Sequence, residues 1–92
     1  MVEIANESLE NISARKNDEF DNYIYKAPLG VIFVMAPWNY PIITATNTIV
    51  PALLAGNTLI LKHSSQTPAC AEIISKAFEG TGLPNGVFQY LH

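Results

Sequence analysis

The sequence predicts an α/β chain: a partial doubly wound parallel sheet running strand, helix, strand, helix, strand, preceded by an N-terminal helix and a short strand arm. Three observations carry this. The runs Val31 to Met35, Thr58 to Leu61 and Val87 to Leu91 are short, apolar and rich in β-branched or aromatic residues, as strands are. The stretches between them, 42–54 and 68–78, repeat their apolar residues at helical spacing. Connections of that length between apolar strands act as crossovers, which parallel pairing requires.

Residues 3–15 carry a weak apolar stripe at Ile4, Leu9 and Ile12 and predict a helix. Asn22 to Lys26 alternates and predicts a short strand or edge arm. Residues 1–26 thus read as an N-terminal helix and arm, set apart from a sheet-forming unit over 27–92. "APLG" is a turn, and the continuous apolar run after it predicts a strand buried on both faces. In 42–54, Ile42, Ala45, Ile49 and Leu53 share one side, while Pro51 predicts a kink or a new first turn. Gly56 marks the helix stop. The second strand ends in Lys62. Thr67-Pro68 predicts a helix start with Thr as N-cap and Pro at the first helical position. Ile73, Ile74, Ala77 and Phe78 form its expected buried stripe, with Cys70 on the same side, and Gly80 ends it. "GLPNG" is a loop before the third strand.

The composition is 49% hydrophobic and 14% charged over 92 residues, apolar for a short chain, and it suggests segments covered on both faces. Six of the eight acidic residues precede Asn22, so the first quarter reads as solvated and the remainder as core-forming. Five unclustered basic residues and a net charge of −3 argue against nucleic acid as a partner. No apolar run reaches the ~20 residues needed to span a bilayer, and the acidic N-terminus does not resemble a signal peptide. One cysteine, Cys70, excludes an internal disulfide and fits a reducing compartment, the cytoplasm.

Open parallel sheets bind ligands just beyond the carboxyl ends of their strands. Two segments occupy that edge, "APWNYP" (Ala36 to Pro41) and "KHSSQTP" (Lys62 to Pro68). At a strand end the Lys62 ammonium could donate to ribose hydroxyls or a phosphate, or it could simply snorkel to solvent. Ser64, Ser65, Gln66 and Thr67 open a helix, where hydroxyls and backbone N–H groups either hold an anion or only cap it. The Asn39 side chain offers two N–H donors on a corner stiffened by Pro37 and Pro41, as an oxyanion requires; a turn asparagine is the plainer reading. Trp38 is a ligand wall or ordinary packing. His63 and His92 lack metal-ligand spacing with Cys70, and the common glycine-rich phosphate loops are absent.

Taken together, "PLGVIFVMAPWNYP", "PALLAGNTLILKHSSQTP" and "GLPNGVFQYL" resemble the aldehyde dehydrogenase superfamily, and within it the semialdehyde dehydrogenases most. The resemblance spans residues 28–91 with family-like spacing and is weaker before them. It implies a Rossmann-like domain over 27–92 that binds NAD or NADP. It also implies oxidation of an aldehyde, a semialdehyde in that branch, to the acid through a cysteine thiohemiacetal. Asn39 matches the asparagine whose amide helps form the oxyanion hole. Val34, Met35, Ala36, Pro37 and Trp38 match residues on the nicotinamide side, and Tyr40 an aromatic of the substrate tunnel. Lys62 matches the lysine that hydrogen-bonds the adenosine ribose, with Ser64 and Ser65 beside it.

One departure bears on cofactor choice. Many NAD-preferring members carry Glu three positions after that lysine, where this chain has Ser65. A carboxylate there repels a 2′-phosphate and a hydroxyl can donate to it, so NADP use is expected, alone or beside NAD. The family's nucleophilic cysteine, general-base glutamate and pyrophosphate-receiving glycine loop lie beyond the motifs present. The expectation is a fragment of a homo-oligomeric enzyme, inactive by itself. The alternative is a truncated, non-catalytic remnant or a nucleotide-binding or association module.

Overall fold

The three β-rich runs pair as neighbours. The computed structural model describes all 92 residues, in the order α1 (Ala5–Leu9), β1 (Ile12–Lys16), β2 (Asp21–Ile24), β3 (Val31–Ala36), α2 (Pro41–Leu54), β4 (Thr58–His63), α3 (Ala69–Phe78) and β5 (Phe88–Leu91). Strands β3, β4 and β5 form one parallel sheet in that spatial order. The expected strand–helix–strand–helix–strand unit is present, with α2 and α3 as its crossovers.

When spatial order follows sequence order, crossovers of one hand lie on one side of the sheet. A single cluster accordingly joins Val34, Ala36, Leu59 and Leu61 of the sheet to Ala45 and Ile49 of α2 and Ala71 and Ile74 of α3. Side chains alternate along β4: Leu59, Leu61 and His63 are buried, while Thr58, Ile60 and Lys62 are half-buried on the other face. That other face is uncovered, with Val31, Phe33 and Met35 exposed at 68%, 54% and 75%. The expectation of a strand buried on both faces is therefore corrected. β3 is apolar enough for two coverings and receives one.

The N-terminal region also departs from expectation. The helix expected over 3–15 is cut to Ala5–Leu9 and buries nothing. Residues 12–16 pair instead with β2, from Ile12↔Ile24 to Lys16↔Asp21, with the register shifting between Ser13 and Arg15. Three large apolar residues in thirteen give a helix little to pack, whereas the Asn17 side chain closes the ribbon's turn. Its Oδ1 accepts the N–H groups of Glu19 (3.1 Å) and Phe20 (2.6 Å).

Both crossover helices differ in detail from their sequence signals. Pro51 starts no new helix, and α2 runs unbroken from Pro41 to Leu54. Helix α3 begins at Ala69 with no side-chain cap, and the buried Thr67 hydroxyl has no partner. The stripe facing the sheet is Ala71, Ile74 and Phe78, spaced three and four residues apart; Ile73 and Ala77 are exposed. Cys70 is only half-buried. Neighbours in sequence sit about 100° apart around a helix, so Ile73 and Ile74 cannot share so narrow a contact. Phe78 then meets Phe88 at 5.0 Å between ring centroids and ties α3 to β5.

The turn from α2 into β4 sets the sheet's starting point. The Gly56 N–H donates to the Leu53 carbonyl and the Asn57 N–H to the Ala52 carbonyl, both at 3.0 Å, which is a Schellman closure. Gly56 has φ +82°, and a Cβ there would meet Pro28 Cγ at 3.2 Å. The buried Asn57 side chain then joins helix to strand. Its amide donates to the Ala52 carbonyl (3.0 Å) and its Oδ1 accepts the N–H groups of Leu29 (2.6 Å) and Gly30 (3.0 Å). Asn57→Ala is expected to cost about 2 kcal/mol, since three modest hydrogen bonds go at once and a cavity remains. Urea unfolding of the variant beside the parent protein checks it, and an unchanged midpoint would refute the role.

Candidate functional site

Parallel strands end on one common edge, so the segments after β3 and β4 lie side by side. Ala36 is paired with His63, and the ladder runs one step further: the Ser64 N–H donates to the Ala36 carbonyl at 2.9 Å. The corner at 37–40 and the loop at 64–67 thus leave from adjoining strand ends.

Pro37, Trp38, Asn39 and Tyr40 are all exposed on that corner. Tyr40 is left-handed, with φ 50° and ψ 52°, the one non-glycine residue at positive φ. The proline after it disfavours the right-handed helical region, and the left-handed one turns the chain from strand into helix within a single residue. The Tyr40 carbonyl opens α2 by accepting the Thr44 N–H (3.1 Å) and hydroxyl (2.8 Å). The three residues before the corner are divided between faces. Val34 and Ala36, each 6% exposed, commit their side chains to the core, while Met35 points out from the uncovered face. A ligand at the edge could meet Val34 and Ala36 only through their backbone.

On the neighbouring strand, Lys62 is half-buried and its Nζ donates only to the adjacent His63 carbonyl, at a long 3.4 Å. Most of the ammonium's donor capacity is uncommitted. Ser64 organises the turn that follows. Its Oγ accepts the Gln66 N–H at 3.3 Å and its carbonyl accepts the Thr67 N–H at 2.9 Å. Ser65 is exposed at the tip of this turn.

His63 lies between them and turns inward. It is 3% exposed, neither ring nitrogen has a hydrogen-bond partner, and burial pushes the imidazole below its usual range. His92 sits far down the chain from it and pairs with Glu72 at 3.2 Å, both partly exposed. No three His, Cys, Asp or Glu side chains gather to hold a metal, and no helix is long and apolar enough to cross a membrane. A hollow of about 330 Å³ between the end of α3 and the 83–86 loop lies at the opposite, amino end of the strands.

The structure brings Trp38, Asn39 and Tyr40 to the same sheet edge as Lys62, Ser64 and Ser65. Three features there were not read from the sequence: the left-handed Tyr40, the turn closed by the Gln66 N–H on Ser64 Oγ, and the buried face of His63. The first had a signal, a non-glycine between a polar corner and a proline. The third had one in the strict alternation Leu59, Leu61, His63.

A parallel sheet whose crossover helices leave from an open carboxyl edge and pack on one face is one wound half of a Rossmann-like α/β fold. Comparison with known proteins narrows it: the aldehyde dehydrogenase family model matches residues 1–92, and the chain belongs to that family. It is 41% identical over 71 residues to a 2-aminomuconic 6-semialdehyde dehydrogenase of Pseudomonas sp., covering 77% of this chain and 14% of that protein. It is 43% identical over 74 residues to a probable succinate-semialdehyde dehydrogenase [NADP(+)] of Synechocystis sp., covering 80% and 16%. The crystal structure of succinic semialdehyde dehydrogenase from Streptococcus pyogenes with NADP+ superposes with a TM-score of 0.87 at 28% identity, covering 97% of this chain and 19% of that one. The chain thus spans 14% and 16% of the length of the two sequence relatives.

The backbone of Tyr40 sets a test of the corner. Tyr40→Gly removes left-handed strain of about 1 kcal/mol and adds a similar unfolded-chain entropy, so stability should stay within about 1 kcal/mol of the parent. Tyr40→Val places a β-branched residue at positive φ and should lose more than that. Thermal unfolding of the two variants compares them directly, and an equal loss in both would show that the side chain, not the backbone, matters.

Proposed function

We propose that this chain forms the cofactor edge and part of the oxyanion hole of an NAD(P)-dependent aldehyde dehydrogenase acting on a semialdehyde. The observation that supports it is the shared edge: the Ser64 N–H bonded to the Ala36 carbonyl holds the Asn39 corner beside the Lys62 strand end. In this reading 1–26 is an N-terminal helix and arm, and 27–92 is the nucleotide-binding part. The complete protein is cytoplasmic, in keeping with the lone cysteine of these 92 residues, and assembles from identical subunits.

The residues present fit a nicotinamide dinucleotide. The Lys62 ammonium, bonded weakly to its neighbour's carbonyl, has N–H groups left for the adenosine ribose, and the Ser65 hydroxyl stands exposed three residues on. Ser65 in place of an acidic residue leaves room for a 2′-phosphate, so NADP is accepted, alone or beside NAD. The Ser64 hydroxyl already receives the Gln66 N–H, so it shapes the turn and has only its remaining capacity for a phosphate. When bound, the cofactor accepts the hydride.

Toward the substrate, the Pro37–Pro41 corner fixes the chain so that the Asn39 amide can donate to the oxygen of an aldehyde under attack. As the carbonyl becomes tetrahedral its oxygen gains charge, and a donor already in place stabilises that charge without reorganising. Trp38 and the backbone of Val34, Met35 and Ala36 border the nicotinamide, and Tyr40 borders the substrate's path. Cys70 is not the nucleophile, being half-buried on α3, which packs on the sheet. The attacking thiolate is supplied outside these 92 residues, and the chain alone turns nothing over.

Three measurements examine this reading. The purified 92-residue chain mixed with succinate semialdehyde and NADP should give no absorbance growth at 340 nm, and steady turnover would overturn the division of labour. In the complete enzyme, Asn39→Ala should lower kcat about 100-fold or more with little change in cofactor KM. Ser65→Glu should raise the KM for NADP at least about tenfold while sparing NAD. NADP use that survives the glutamate unchanged would remove Ser65 from the site.

A further inference from the structure

We propose that His63 is a positioning residue for the nucleotide edge: its neutral ring, seated in the layer between sheet and helices, holds the end of β4 in place, and a protonated ring leaves that seat and releases the edge. The functional half of this inference rests on the edge being the cofactor site; the structural half does not.

The geometry begins with alternation. Because His63 points into the covered layer with Leu59 and Leu61, Lys62 must point out of the opposite face. The two side chains are coupled through one peptide unit. The next peptide unit, from the His63 carbonyl to the Ser64 N–H, anchors the turn that follows. The His63 carbonyl receives the Lys62 Nζ, and the next N–H, that of Ser64, is bonded to the Ala36 carbonyl. Ser64 in turn receives the N–H groups of Gln66 and Thr67. Withdrawing the ring from its layer would pull this peptide away from β3 and break the bond on which the turn hangs.

The seat accepts only an uncharged ring. Both nitrogens are buried and unpartnered, and the ring is 3% exposed. Strand β3 and helix α2 carry no titratable side chain at all. On β4 the only other one is Lys62, which leaves by the opposite face. Helix α3 carries Cys70, Glu72 and Lys76, and Glu72 is engaged by His92; β5 carries Tyr90. None of these bonds to the imidazole, so no carboxylate is in place to hold an imidazolium. Burial lowers the folded pKa from its ordinary 6.5.

The direction of the pH effect follows. Between the lowered folded pKa and 6.5, an opened ring binds a proton that the seated ring does not. Opening is therefore favoured as pH falls through that window, by up to about tenfold per pH unit, and the seated form is fully retained above it.

Amide exchange and ring titration in the ¹⁵N-labelled protein test this. His63 should stay neutral well below 6.5. The opening constant of the Ser64 amide, after correction for intrinsic exchange, should rise toward tenfold per unit of acidification. The Asn57 amide, at the other end of β4, should not follow it. His63→Leu and His63→Gln, neither of which can be charged, should both give a flat profile. Titration of His63 near 6.5 with Ser64 protection unchanged overturns the inference, as does a slope that persists in whichever variant folds. In the complete enzyme, the fluorescence-measured Kd for NADPH should weaken more steeply from pH 7.0 to 5.5 in the parent than in the variants, which retain only the titration of the 2′-phosphate. Edge opening without any NADPH binding at either pH would reject the cofactor reading and leave the positioning role supported.

Discussion

The parallel pairing of β3 with β4 is the constraint on which everything else rests. Six residue pairs from Val31↔Thr58 to Ala36↔His63 fix which side chains face the helices and which segments meet at the carboxyl edge. The pairing is pinned at both ends by single residues outside the ladder. At the amino end the Asn57 amide spans from α2 to the start of β3; at the carboxyl end the Ser64 N–H reaches the Ala36 carbonyl. A slip of one residue would exchange the faces of Lys62 and His63, sending the ammonium into the apolar layer and the imidazole out. Register and chemistry are therefore the same specification.

The unit depends on the ordinary economy of a small core. Ten residues are buried, three of them alanines that let helices lie close on the sheet. The ring pair Phe78–Phe88 closes the far side. The N-terminal ribbon contributes little to this. Its strands pair only with each other, and their residues are all exposed. Such a two-stranded ribbon is marginal by itself in water, so the turn made by Asn17 and the bond from the Lys26 N–H to Asn11 Oδ1 carry much of its order.

Much of this was legible in the sequence, and the remainder was hidden for identifiable reasons. The strands, the crossover helices and the two edge segments follow from apolar spacing and from the glycine and proline punctuation. What hydrophobicity cannot say is whether a covering exists: Phe33 and Met35 read as core and stand exposed. The rotation of α3 was missed because Ile73 and Ile74 are equally apolar, and only the packed sheet chooses between them. The N-terminal strand was missed because a weak helical stripe was read where pairing with β2 decides. At the site, Trp38, Asn39 and Lys62 could be placed on one edge from the pattern alone. The backbone state of Tyr40 and the solitude of His63 could not, because both are set by tertiary neighbours.

The one-sided coat on the sheet has a consequence for handling the molecule. With Val31, Phe33, Met35 and Leu91 displayed on or beside one face and helices on the other, the unit is an amphiphile of fixed shape. Amphiphiles gather at boundaries, so in dilute solution such a chain is drawn to air–water and plastic surfaces and to the hydrophobic dyes used to report on unfolding. A bright dye signal from the 92-residue chain by itself at low temperature would then record its folded sheet face, and the usual inference from brightness to denaturation would be reversed.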